Sequence, residues 1–123
     1  MKRKNVGLLY LAAPYSHPGP VENTHRAVKA WEKLTDAGYV VFVPHVSLLL
    51  HLVNPRPEQF WYDYGMNLLG RCDAVVRLSG YSKGADKECE WATEHNIPIY
   101  SMNDLIEKHR PIYADTVIIQ DRG

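Results

Sequence analysis

Short apolar runs alternate with helix-length segments along this chain, and that alternation restricts the fold more than any other feature of the sequence. The runs carry apolar residues at consecutive positions, which is typical of strands covered on both faces: residues 6–12, 39–43, 74–78 and 97–100. The segments with helical spacing are residues 21–37, 58–71, 85–95 and 102–109. Strands that alternate with helices in this way predict a parallel sheet with helices on both of its faces.

We therefore predict one α/β domain over residues 1–123, with a doubly wound, flavodoxin-like or Rossmann-like parallel sheet of about four to five strands. The 123 residues, 46% of them hydrophobic and 23% charged, fit a single globular domain. Gly38 is expected to end the first helix. Residues 46–53 form either a short helix or part of a loop, and residues 116–119 are a candidate edge strand.

Composition excludes several classes of partner. Fourteen Lys and Arg residues balance fourteen Asp and Glu residues, so we expect no nucleic-acid or anionic-membrane partner. No apolar run reaches the ~18 residues of a membrane span. Cys72 and Cys89 form neither a disulfide framework nor a C-x-x-C motif, which favours a reduced, cytoplasmic protein. His45 and His51 do not match the spacing of a usual pair of metal ligands, so we expect no metal site.

Ligands of such sheets bind at the carboxyl ends of the strands, where the strand order reverses. This rule selects residues 13–20, 44–51 and 79–88. The last of these passes through two glycines into a helix, whose N-terminus favours a phosphate or a carboxylate. Ser82 is a candidate helix cap. Glu88, about one turn into the helix, is a candidate nucleophile or base, and the alternative is that Asp86 and Glu88 only complement the helix dipole.

The other strand ends carry weaker signals. Tyr15 and Ser16 follow the first strand, in a segment that also fits a proline-rich surface loop. Arg26, on the next helix, either reaches a phosphate or lies on a solvated face. Trp61 either stacks on a base or forms an interface.

Four sequence blocks carry a family resemblance: residues 10–16, 37–41, 71–76 and 78–88, the last completed by Ala92. The last block contains the pattern S-x-G-x-x-x-E-x-x-x-A, entered from an apolar strand. These blocks resemble, in the expected order, the nucleoside 2-deoxyribosyltransferase-like superfamily, particularly its small bacterial and phage members.

The resemblance implies an enzyme, either an N-glycosidase (a nucleoside or nucleotide hydrolase) or a glycosyltransferase. The residue that matches the superfamily nucleophile is Glu88, which attacks the sugar C1′ of a nucleoside or a nucleoside 5′-monophosphate. The base leaves, and the glycosyl–enzyme intermediate passes its (deoxy)ribosyl group to water or to another base. This agrees with the general logic of retaining glycoside cleavage. The resemblance implies that no metal or organic cofactor is needed.

The superfamily usually has an Asp on the helix before the third strand, and this chain has Gly65 there. The nearest carboxylate belongs to Asp63, which a helix turns about 200° away from that position. Three residues are therefore candidates for orienting the base or donating a proton to it: Tyr15, His45 and Asp63. Asp73 is expected to be a structural residue at the entry of the strand.

The resemblance also places a sugar and phosphate pocket at the strand ends. Its expected residues are Tyr10, Ser16, Arg26, Ser82 and Gly84, and Lys83 beside the turn favours a 5′-phosphate. A homo-oligomer, dimer or tetramer, is implied as well. The alternative function is a non-catalytic module that binds or senses a nucleotide, which Gly65 favours.

Overall fold

The computed structural model describes residues 4–111, with the side chains of residues 6–109, and the strand predicted at 116–119 lies outside the described residues. The strands are β1 (Lys4–Val6), β2 (Leu8–Ala12), β3 (Val40–Phe42), β4 (Ala74–Arg77), β5 (Ile99–Tyr100) and β6 (His109–Pro111). The α-helices are α1 (Pro20–Asp36), α2 (Ser47–Val53), α3 (Glu58–Leu69), α4 (Lys83–Glu94) and α5 (Met102–Lys108). A 3₁₀ turn, Pro44–Val46, precedes α2. Of the two predictions for residues 46–53, a short helix or a loop, the structure therefore shows the helix.

The central sheet has four parallel strands in the order β3-β2-β4-β5. The chain runs from β2 outward to β3, then crosses back to place β4 on the other side of β2. The strand order therefore reverses at β2, which is the arrangement of a doubly wound sheet. The predicted fold class is confirmed.

The first apolar run forms two strands instead of the predicted single one. Gly7 separates β1 from β2, and β1 pairs in parallel with β6, with Lys4 opposite His109. The strand β6 was not predicted, because its residues are polar or proline and show no apolar run. The predicted helix at 102–109 ends one residue early, at Lys108, because His109 belongs to β6 and pairs with Lys4.

Alternation along β2 divides its side chains between two apolar layers. Leu9 and Leu11 pack with residues of α1 and α5, including Ala27, Leu34 and Leu105. Tyr10 and Ala12 pack on the opposite face with residues of α3 and α4, including Met66, Leu69, Ala85 and Ala92. The pleat of one buried strand therefore points the Tyr10 side chain toward α3 and α4.

Two local predictions about turns are confirmed. Gly38 follows α1 with a φ of 98°, the left-handed conformation expected of a glycine after a helix C-terminus. Asp73 has the expected structural role at the entry of β4, where its Oδ2 accepts a hydrogen bond from the Leu8 amide at 2.8 Å. Among the helices of residues 4–111, none has the length and apolar character needed to cross a membrane.

Candidate active site

A cleft of about 770 Å³ opens at the carboxyl ends of β2, β3 and β4, where the strand order reverses. Its lining comes from all three segments that the sequence selected, and from α2 and α3. The residues that line it include Tyr10, Tyr15, Ser16, His45, His51, Glu58, Trp61, Tyr62, Gly65, Ser82, Gly84 and Glu88. The cleft is thus the crevice predicted for this fold.

Helix α4 begins at a turn that only certain residues permit. Gly80 has a φ of +119°, and a Cβ there would lie 3.0 Å from Pro14 Cγ. Ser82 caps the helix, as predicted, because its Oγ accepts a hydrogen bond from the Ala85 amide at 3.0 Å. The helix then carries Glu88 to the cleft, facing the layer that contains Tyr10.

Tyr10 and Glu88 form a short hydrogen bond in which the phenol donates to the carboxylate Oε2. Burial raises the pKa of Tyr10 far above its ordinary value, and the Glu88 charge adds to this effect, so the phenol keeps its proton. Burial also raises the pKa of Glu88 to about 7, although the Tyr10 hydrogen bond and the Arg77 charge both oppose the rise. The protonated and ionised forms of this carboxyl group therefore coexist near neutral pH.

Two arginines hold the turn between β4 and α4. Arg77 donates to the carbonyls of Leu78 and Gly80, and it forms an ion pair with Asp86 at 3.0 Å. Arg26 donates to the carbonyl and the hydroxyl of Ser79, at 2.6 and 2.9 Å. Arg26 therefore supports the turn instead of lining the cleft.

Asn23, on α1, holds the loop that follows β2. This buried side chain donates to the carbonyls of Tyr15 and His17, at 3.0 and 2.8 Å. Its amide thereby fixes the course of the loop that brings Tyr15 and Ser16 to the cleft.

His45 lies behind Tyr15, whose ring meets the imidazole edge-on with centroids 5.5 Å apart. Burial lowers the pKa of His45 and favours the neutral ring. The neutral ring carries its proton on Nε2, because that nitrogen lies 2.8 Å from the Pro14 carbonyl, which can only accept.

Aromatic side chains of α3 form a second wall of the cleft, here called the aromatic wall. Trp61 Nε1 donates to His51 Nδ1 at 2.8 Å, and the indole packs edge-on against Phe60 and Tyr64. Tyr62 also lines the cleft, next to Trp61. Of the two roles left open for Trp61, its position in the lining is compatible with stacking on a base.

Gly65 lies on α3 directly beside the Tyr10 phenol. A Cβ at this position would lie 3.2 Å from Tyr10 Oη, so the missing side chain gives the phenol its space. Asp63 does not replace a carboxylate at this point. It is exposed, it accepts a hydrogen bond from Gln59 at 2.9 Å, and it does not line the cleft.

The structure brings most of the predicted site residues together and leaves two outside. Asp63 and Arg26 are outside, and the cleft is lined by Tyr10, Tyr15, Ser16, His45, Ser82, Gly84 and Glu88. Sequence reasoning missed Glu58, a second carboxylate at the cleft, and His51, which it considered only as a metal ligand. It also missed Arg77, although a charged residue that ends an apolar strand is a visible signal. Within residues 4–111, no cluster of His, Cys, Asp and Glu could hold a metal ion.

Comparison with known proteins places the chain in a family. Residues 7–102 match the model of a domain of unknown function, DUF7768. The chain belongs to the DUF7768 family. No curated protein matches this DUF7768 sequence significantly.

One solved structure similar to this DUF7768 protein is the 2-deoxyribosyltransferase of the psychrotolerant bacterium Bacillus psychrosaccharolyticus, described as a biocatalyst for the synthesis of antiviral and antitumoral nucleosides. The similarity has a TM-score of 0.57 at 20% sequence identity, and it covers 76% of this chain and 69% of that chain. It shows a distant relationship of fold.

Proposed function

We propose that this DUF7768 protein cleaves the N-glycosidic bond of a nucleoside or a nucleoside 5′-monophosphate. The observation that carries the proposal is the Tyr10–Glu88 pair, a half-buried carboxylate held by a phenol in a cleft with room for a nucleoside. The fold shared with a 2-deoxyribosyltransferase supports the same chemistry. It is also the reaction implied by the S-x-G-x-x-x-E-x-x-x-A block.

In the proposed reaction, Glu88 Oε1 attacks C1′ while the bond from C1′ to the base nitrogen breaks. The bonding electrons leave with the base, which takes a proton from the Tyr15 hydroxyl, and the sugar stays on the enzyme as an ester. The incoming water or second base returns that proton to Tyr15 in the next step. Water or a second base then attacks C1′ and releases the carboxylate. Tyr10 binds Oε2 and therefore leaves Oε1 for bond formation.

The departing base needs a partner, and Tyr15 is the residue we assign to it. Tyr15 lines the cleft, whereas Asp63 lies outside it. The neutral ring of His45 packs against Tyr15 and fixes its orientation. The 5′ end of the substrate then faces Ser16, Ser82 and Gly84, where the N-terminus of α4 favours a phosphate.

We also propose that a second copy of the chain covers the exposed side of α2. This helix buries none of its residues, and it exposes Leu49, Leu50, Leu52 and Val53 beside the aromatic wall of the cleft. A contiguous apolar surface of this kind marks an interaction site.

The free thiols of Cys72 and Cys89 are consistent with the reduced, cytoplasmic compartment that we propose for this protein.

The proposed reaction is tested by chromatography of a substrate panel. The protein is incubated with ribo- and deoxyribonucleosides and their 5′-monophosphates, with and without a free acceptor base, beside Glu88→Ala. We expect free base from the wild type only, and a new nucleoside wherever transfer occurs. Activity that survives in Glu88→Ala overturns the assignment of the nucleophile.

A non-catalytic nucleotide-binding module is the second candidate, and Gly65 is the observation that favours it. The position where the resembling enzymes carry an acid has no side chain here. This candidate predicts saturable binding of a nucleotide, no turnover of any substrate, and little effect of Glu88→Gln on the dissociation constant.

A further inference from the structure

His51 is held in one tautomer by two groups that can only donate. Its Nδ1 accepts a hydrogen bond from Trp61 Nε1 at 2.8 Å and another from the Arg56 backbone amide at 3.1 Å. An indole N–H and a backbone N–H have no acceptor capacity. The Nδ1 atom therefore carries a lone pair, and the proton of the neutral ring is on Nε2.

The ring is also fixed in position. Trp61 meets it edge-on with centroids 6.0 Å apart, and Trp61 is itself packed against Phe60 and Tyr64. His51 is half-buried and lines the cleft, and no hydrogen bond occupies its Nε2–H among the side chains of residues 6–109. The cleft therefore contains an oriented donor that the fold does not use.

The topology places this donor at the end of a different strand from the nucleophile. Helix α2 follows β3, α4 follows β4, and β2 lies between those two strands in the sheet. Both side chains line the same cleft, together with Trp61.

We propose that His51 is a specificity-determining residue, which donates its Nε2–H to an acceptor on the base of the substrate. The acceptor is a ring nitrogen or a carbonyl oxygen, and Trp61 is a positioning residue that fixes the imidazole. This inference rests on the proposed function, because it assigns the base end of the same cleft. A base without the acceptor leaves the donor unpaired, which costs affinity.

The test uses purine and pyrimidine nucleosides, each paired with an analogue that lacks a single ring nitrogen or carbonyl acceptor. For each pair, kcat/KM is measured on the wild type and on His51→Phe, and dissociation constants are measured by calorimetry in a Glu88→Gln background. The wild type is expected to disfavour one analogue by roughly tenfold or more. In His51→Phe, that ratio is expected to fall below about threefold.

His25→Phe is the matched control, because His25 is exposed on α1 and does not line the cleft. It should keep the ratio of the wild type. A ratio that persists in His51→Phe, or a wild type that distinguishes none of the pairs, overturns the role of His51. If no nucleoside is cleaved but the binding ratio still depends on His51, then the proposed reaction fails and the role of His51 stands.

Discussion

The two walls of the cleft are stabilised by different interactions. The α4 wall, residues 77–88, is fixed by the Arg77–Asp86 ion pair, a helix cap and the Tyr10–Glu88 hydrogen bond. The aromatic wall, residues 45–64, is fixed by ring contacts and by the Trp61–His51 hydrogen bond, and α2 buries none of its residues. Polar interactions thus hold the carboxylate, whereas ring packing, supplemented by hydrogen bonds to His51, shapes the aromatic wall.

This difference separates two consequences of mutation. Changes in the α4 wall are expected to alter the protonation of Glu88 and the stability of the fold together, because the same contacts serve both. Changes in the outer part of the aromatic wall are expected to leave the fold intact and alter what binds there. The variants below test that separation, beginning with the largest expected effect.

Glu88→Gln should stabilise the protein at high pH. The pKa of Glu88 is about 7 in the folded state, against an ordinary value of 4.5, so the folded state keeps a proton that the unfolded chain loses between these values. The free energy of unfolding therefore falls as the pH rises through this window, by roughly 3 kcal/mol in total. Glutamine carries no charge and avoids this cost.

Urea denaturation of both proteins at pH 4 and pH 8 measures the effect. We expect nearly equal stabilities at pH 4 and a more stable variant at pH 8. A difference that is the same at both pH values contradicts the assignment of the raised pKa to Glu88.

Tyr10→Phe should move the acidic limb of the proposed cleavage activity to higher pH. The Tyr10 hydrogen bond lowers the pKa of Glu88, so its removal raises that pKa further above 7. A hydrogen bond to a charged group contributes about 1.5–3 kcal/mol, which corresponds to a shift of about one pH unit or more. The pH profile of kcat/KM reports this limb for the free enzyme.

Tyr39→Phe is the control for Tyr10→Phe, since Tyr39 is also buried but donates to the His109 carbonyl in the other apolar layer. It should cost stability without moving the limb. If both variants shift the limb equally, the Tyr10–Glu88 bond is not its origin.

Gly80→Ala should destabilise the α4 wall by about 1–3 kcal/mol, because alanine strains a backbone with a φ of +119° and crowds Pro14. Gly84→Ala is the matched variant, since the nearest atom to its new Cβ is Ser82 Oγ at 3.9 Å. Thermal unfolding of the two variants measures the contrast. Equal stability losses would show that the turn at Gly80 is not the constraint.

The sequence predicts the α4 wall well because its signals are local. An apolar strand, two glycines, a serine cap and a carboxylate one turn later are all visible within residues 74–88. The helix period also predicts that Asp63 and Gly65 lie on different sides of α3. In the structure Gly65 lines the cleft, whereas Asp63 lies outside it and binds Gln59.

The contacts of the aromatic wall and the hydrogen bonds from Arg26 to Ser79 could not be predicted from local sequence patterns. The tautomer of His51 depends on Trp61, ten residues away, and Arg26 binds Ser79, which is 53 residues away in the sequence. Such contacts depend on how α1, α2 and α3 pack, which spacing along one segment does not reveal. The strand β6 was missed because pairing with β1, and not an apolar pattern, defines it.

Val53→Lys should have the smallest effect on folding and a clear effect on assembly. Val53 is 88% exposed, so its substitution should change the free energy of unfolding of one subunit by less than about 0.5 kcal/mol. A lysine within the apolar surface of α2 places a charge in the proposed contact between copies.

Val21→Lys is the matched control, since Val21 is 80% exposed on α1. Light scattering should show a lower mass for Val53→Lys and the mass of the wild type for Val21→Lys. A monomeric wild type would contradict the contact, and the aromatic wall would then be complete within a single chain.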